Sequence, residues 1–132
     1  MSQVTSRSEL LYGDAMDHIL TITMLGTGNA LATRCYNTCF TLRCLDGSAL
    51  MVDAGGGNGV LTQLERAGMR CEDIHDLFVT HAHTDHLLGC VWMMRMALQF
   101  RHSLHVWSSK IEATIEEGEL SPLKMGYFYQ MQ

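Results

Sequence analysis

Within the run Thr80-His81-Ala82-His83-Thr84-Asp85-His86, four side chains that can bind a metal ion fall inside six residues. Neutral imidazole nitrogens and a carboxylate oxygen suit zinc or a similar borderline divalent cation. A cluster this dense can hold one or two such ions through His81, His83, Asp85 and His86, and the chemistry it points to is metal-assisted hydrolysis. The bland alternative has Asp85 capping a helix and three imidazoles on the surface, and it leaves the density of the cluster unexplained.

The flanking sequence says how the cluster is positioned. Leu77-Phe78-Val79 is a short apolar run that predicts a buried strand, and Leu87 to Phe100, rich in Leu, Met and Ala, predicts a helix. The ligands therefore belong to a strand-to-helix turn. Alternation along extended chain puts His81 and His83 on one side, where they can grip one ion together. Asp85 and His86 then fall at the helix start and face a second ion.

At these residues the chain resembles the metallo-β-lactamase superfamily, whose motif is His-x-His-x-Asp-His. Met24-Leu25-Gly26-Thr27-Gly28-Asn29-Ala30 and Met51-Val52-Asp53-Ala54-Gly55-Gly56 agree with it in order and spacing. Leu25-Gly26-Thr27-Gly28 followed by Tyr36-Asn37-Thr38 is most similar to the ribonuclease Z-type branch and its phosphodiesterase relatives. Leu31-Ala32-Thr33 departs from that branch, which usually shows a small residue and a proline there. The resemblance runs from Ile22 to Trp107.

It implies an α/β fold, the N-terminal half of a metallo-β-lactamase-type αββα sandwich, with residues 1–132 forming a partial domain. The implied cofactor is zinc, two ions per complete site, with manganese or iron(II) as alternatives. Asp85 is implied both as a ligand of the second ion and as the catalytic group that orients the nucleophile or accepts its proton. Asp53 either caps the helix that follows it or, as the resemblance implies, orients the metal-binding loop. A third histidine, a bridging aspartate and a last histidine complete such sites far downstream, and no counterpart to them stands in this chain. The implied substrate is a phosphodiester, either RNA or a small molecule. An ester or thioester hydrolase of another branch is the alternative, as is a non-catalytic half-domain that mainly self-associates as a homo-oligomer.

Composition bounds these readings. The chain has 132 residues, 47% of them apolar, enough for one core, whereas the full sandwich needs nearly twice that length. Net charge is −5 with a pI near 5.7, and Lys and Arg are scattered, so no basic run builds a nucleic-acid surface. Five cysteines, at 35, 39, 44, 71 and 90, lack Cys-x-x-Cys spacing and predict buried reduced thiols in a cytoplasmic protein. Residues 1 to 18 are too polar for a signal peptide, and no apolar run reaches membrane-spanning length.

The remaining elements follow from pattern. Leu10, Leu11 and Met16 predict a helical turn, Ile19 to Met24 a strand, and Thr38 to Arg43 with Ala49 to Val52 a hairpin closed through Asp46-Gly47. A helix is predicted from about Asn58 to Ala67, with Val60, Leu61 and Leu64 on one face and Gly68 as its cap. The helix over Leu87 to Phe100 is apolar nearly all round, which predicts burial on all sides, with Met93, Met94 and Met96 as core filler. His102 and His105 follow a helix of about fourteen residues, roughly 20 Å from the cluster. Like His75, which precedes the strand entering the site, they are expected to be non-ligands. Leu104 to Trp107 predicts a strand. Ser109-Lys110-Ile111-Glu112 predicts a capping box for a short helix carrying Ile111 and Ile115 and ending at Gly118. Tyr127, Phe128 and Tyr129 form an aromatic patch near the end.

Overall fold

A computed structural model of the chain describes residues 20–108, 112–116 and 118–120. The helical turn expected around Leu10 to Met16 and the aromatic patch at Tyr127 to Tyr129 lie outside the described residues. Among the described residues seven strands form one sheet in sequence order: β1 (Thr21–Gly26), β2 (Cys39–Arg43), β3 (Ala49–Val52), β4 (Asp76–Phe78), β5 (Leu104–Trp107), β6 (Glu112–Glu116) and β7 (Glu119–Leu120). The first three pair antiparallel, β3, β4 and β5 run parallel, and β6 and β7 return antiparallel. Hairpins suffice for the antiparallel pairs. Each parallel step needs a crossover, and these carry α1 (Gly59–Arg66) and α2 (Thr84–Phe100).

Strand alternation decides what each face buries. Cys39, Thr41, Ala49, Met51, Leu77, Leu104 and Val106 are buried with Val60 and Leu64 of α1 and with Leu87, Cys90, Met93 and Ala97 of α2. The intervening residues fall on the other face. There the register aligns Met24, Phe40, Val52, Phe78 and Trp107 across five strands, with Met24 and Trp107 exposed and a Phe78–Trp107 edge contact at 4.8 Å between ring centroids. One sheet face is thus covered by helices, and the other presents an apolar row.

The hairpin forms as expected, Gly47 supplying the positive φ of 87°, and Gly68, at φ 70°, ends α1 with its N–H on the Glu65 carbonyl. Two expectations are corrected. The helix expected to carry Ile115 is, over its described residues, a strand: Glu112 to Glu116 pairs with β5, Leu104 opposite Ile115, and Gly118 turns the chain into β7, while the capping box at residues 109–111 lies outside the described residues. So short a segment, containing β-branched Thr114 and Ile115, has little helical stability of its own. The unpaired groups along β5 offer it a ladder instead. The second correction concerns α2, which is laid on the sheet with one face buried. Leu88, Val91, Trp92, Leu98 and Phe100 are exposed, because the sheet, α1 and the 71–73 turn against which the helix packs leave them uncovered among the described residues. Met93 and Met94 are buried as expected, and Met96 packs against the core.

Gly89 shows how tightly α2 is seated. Glycine inside a helix costs about 1 kcal/mol relative to alanine, yet a Cβ here would be driven into the Ala54 carbonyl. The Gly89 N–H donates to the Gly55 carbonyl at 2.8 Å, and the Ala54 N–H donates to the His86 carbonyl at 3.0 Å. The obstacle is backbone and cannot rotate away. Gly89→Ala is therefore expected to destabilise the fold by about 1–3 kcal/mol despite its better helix propensity, as read by urea denaturation; stability equal to the parent would show that the loop yields freely.

Candidate metal centre

The parallel pairing of β3 and β4 brings the functional loops together. Val52 stands opposite Phe78 in register, so the chain leaving β3 at Asp53 meets the chain leaving β4 at Val79 and Thr80. Ligand sites of open α/β sheets lie at these carboxyl ends of parallel strands. The Asp53 N–H donates to the Phe78 carbonyl at 2.8 Å. Asp53 holds φ at 56°, a left-handed conformation that aspartate tolerates better than most residues. That turn points a carboxylate, only 4% exposed, back at the β4 loop.

Asp53 is the hub of the site. Its Oδ1 accepts the Thr80 N–H at 2.8 Å, and its Oδ2 accepts the Thr80 hydroxyl at 2.8 Å. The same Oδ2 lies 2.7 Å from His86 Nδ1. A carboxylate can only accept, so Nδ1 of a neutral His86 carries the proton and Nε2 is left with a lone pair. The Thr80 hydroxyl, having spent its proton on Asp53, accepts from His81 Nδ1 at 2.9 Å. This frees His81 Nε2 as well. One buried carboxylate therefore sets the tautomer of two imidazoles, one directly and one through Thr80.

These two nitrogens each face a further polar atom. His81 Nε2 lies 3.0 Å from His83 Nδ1, close to the roughly 3.3 Å that separates two nitrogens on one tetrahedral zinc ion. His86 Nε2 lies 3.3 Å from Asp85 Oδ2. The His81 and His86 rings stand 4.1 Å apart at their centroids. The site thus brings all four expected residues together, in the pairs His81 with His83 and Asp85 with His86. The reason differs in part: β4 ends at Phe78, before the cluster, but the chain is still extended at His83, with φ −64° and ψ 144°. Asp85 lies in the first turn of α2 behind His83, the residue at the cap position, and no side chain caps that end.

Ligand atoms of Asp53, His81 and His86 also lie within 4.8 Å of one another, a spacing that would itself suit an ion. The oxygens of Asp53 are already engaged by Thr80 and His86. A mixed nitrogen and oxygen donor set with free imidazole lone pairs fits zinc, manganese or iron(II). The other described histidines, His75, His102 and His105, sit at the opposite ends of β4 and β5. His75 Nδ1 lies 3.1 Å from the Ser103 carbonyl, His105 Nδ1 lies 3.9 Å from Asp76 Oδ1, and burial holds His102 below its ordinary pKa. All five cysteines are free, but only Cys39, Cys71 and Cys90 are buried; Cys35 and Cys44 are exposed, contrary to expectation. Burial pushes Cys39 up to about 12 and Cys71 to about 11, and raises Cys90 as well, so these three remain thiols at neutral pH.

Tyr36 and Asn37 fasten the loops around this hub. The Tyr36 hydroxyl lies 2.9 Å from the Ala54 carbonyl and 2.8 Å from that of Gly57, its pKa pushed up to about 12 by burial, so it is a permanent donor. Its ring lies where side chains at Gly55 or Gly59 would be. The Asn37 amide donates to the Asn29 carbonyl at 2.9 Å and accepts the Gly56 N–H at 3.0 Å, tying the Gly26-Thr27-Gly28-Asn29 turn to the Asp53 loop. Pattern reading did not find the bridging role of Thr80, nor Gly89. A glycine three residues past a helix-borne histidine was the available signal for the latter.

Comparison with known proteins identifies relatives of this chain. A family model described as anti-Pycsar protein Apyc1 matches residues 20–123. The anti-Pycsar protein Apyc1 of Bacillus phage 010DV004 is 31% identical over 74 residues, covering 56% of this chain and 28% of that protein. Ribonuclease Z of Streptomyces avermitilis is 38% identical over 68 residues, covering 52% and 22%. Ribonuclease Z of Methanothermobacter thermautotrophicus is 31% identical over 111 residues, covering 83% and 35%. The chain thus spans about a quarter to a third of the length of these relatives. Human tRNase Z, short form, superposes with a TM-score of 0.53 at 32% identity, over 61% of this chain and 30% of that one. The shared part is a mixed α/β region that matches this fold over part of its length. With its match over residues 20–123, the chain belongs to the anti-Pycsar protein Apyc1 family, within the metallo-β-lactamase superfamily that it shares with its ribonuclease Z relatives.

Proposed function

We propose that this chain supplies the first ligand cluster of a metal-dependent phosphodiesterase, with His81 and His83 holding one ion and Asp85 and His86 a second. The observation that carries this reading is the wiring of Asp53, which leaves the Nε2 atoms of both His81 and His86 free beside a second donor. Surface histidines need no such shared buried carboxylate. When bound, the ions would supply electrostatic stabilisation of developing phosphoryl charge and acidify water near neutral pH. The chain's own contribution is orientation: Asp53 and Thr80 fix the ring directions, and Asp85 offers an oxygen beside His86 that can hold a proton of the attacking water. The remaining ligands, on this reading, come from further chain.

The turn Leu25-Gly26-Thr27-Gly28 with Asn37 and Thr38, held against the Asp53 loop by Asn37, supports a phosphodiester over a β-lactam or thioester. Net charge of −5 favours a small phosphodiester over a long RNA. The complete protein, loaded with zinc or manganese, is expected to cleave an activated phosphodiester faster than a β-lactam or a glutathione thioester. A panel assay reads this directly, and preference for the thioester would move the enzyme to another branch of the superfamily.

A further inference from the structure

A concavity beside Gly26 and Thr27 is lined by none of the proposed metal-binding residues. It is an open cleft of about 310 Å³ between the β1–β2 connection and α1, lined by Arg34, Arg66, Gln63, Thr27 and Tyr36 among others. No carboxylate lines it, although acidic residues outnumber basic ones by 14 to 9 in the chain. Among the described residues no ion pair or hydrogen bond engages either guanidinium. Arg66 lies in the last turn of α1, where a cation complements the carbonyl end of the helix. That accounts for Arg66 alone. Arg34 comes from a separate loop and faces the same space without any such reason.

The wall between them is fixed in advance. The Gly28 N–H donates to the Tyr36 carbonyl and the Thr38 N–H to the Gly28 carbonyl, both at 2.8 Å. Gly26 is pressed against the Tyr36 and Asn37 carbonyls so closely that no side chain fits. Among its lining residues Arg34, Arg66, Thr27 and Gln63 carry guanidinium, hydroxyl and amide groups, donors of the kind that match a phosphate. The volume admits that group with part of an attached molecule.

We propose that the cleft between the β1–β2 connection and α1 binds a phosphate group, free or as a monoester, through Arg34 and Arg66. This site is independent of the metal centre. The test is a titration of the purified chain with inorganic phosphate, with a phosphate monoester and with acetate, in the presence of a chelator so that ion-held phosphate does not count, followed by amide NMR. Shifts should saturate, centre on Gly26, Thr27 and the Gln63 side chain, and be weaker for acetate. Equal response to both phosphates would mark the bare anion as the ligand, and tighter monoester binding would mark a larger molecule bearing it. Arg34→Gln and Arg66→Gln should each weaken phosphate binding about tenfold or more. Because both side chains are exposed and unpaired, melting without phosphate should scarcely change. His86→Ala should leave phosphate binding intact. Shifts that persist in the double arginine variant, that map to the His81–His86 turn, or that never saturate would overturn the proposal.

Discussion

Replacing His81 and Asp85 together by alanine is expected to remove tight metal binding and, in the complete protein, to slow phosphodiester hydrolysis by about a hundred- to a thousandfold. Each proposed ion loses one of the two donors that this chain gives it, His81 from the first pair and Asp85 from the second. Charge stabilisation by such ions is worth several kcal/mol in the transition state, and each 1.36 kcal/mol is a factor of ten in rate. His81 is exposed and Asp85 only partly buried, so the substitutions open no cavity in the core and the fold should survive. Elemental analysis of the complete protein should find about two ions per chain before the change, and circular dichroism checks folding after it. Unchanged metal content in a folded double variant would remove these residues from the site.

Asp53→Asn should cost about ten- to a hundredfold in metal affinity without touching a proposed ligand. The amide retains one acceptor oxygen and presents an NH2 group in place of the other. Three donors now point at the carboxylate: the Thr80 N–H, the Thr80 hydroxyl and His86 Nδ1. At least one of them must then face another donor in a buried setting, which also costs about 1–3 kcal/mol of stability. Asparagine tolerates positive φ as aspartate does, so the backbone at 56° is not the variable. Nitrogen-resolved NMR of the imidazoles gives a readout that a merely structural role would not move: the Nδ1-protonated tautomers of His81 and His86 should lose their dominance. Unaltered tautomers together with unaltered metal affinity would show that Asp53 serves the fold alone.

The density of His81, His83, Asp85 and His86 could be recognised without any fold, because four ligands in six residues are already close along the chain. The hairpin about Asp46-Gly47, the helix over Val60 and Leu64, and the strand-to-helix turn after Phe78 were legible for the same reason: turn chemistry and apolar period act over short spans. Glu112 to Glu116 was misread because its local preference is weak and its partner, β5, is distant in the chain. The outer face of α2 was misjudged because an apolar period reports what a helix can bury and not what lies beside it. Only the tertiary structure decided what Asp53 touches. Its position before a glycine run allowed a helix cap or an orienting role. The parallel register of Val52 with Phe78 set its carboxylate against Thr80 and His86, and that pairing is a long-range choice. The same holds for Gly89 against Ala54, and for Arg34 and Arg66 around one cleft. Sequence specified the groups capable of chemistry, and their mutual orientation came from strand pairing and helix packing, which join residues far apart in the chain.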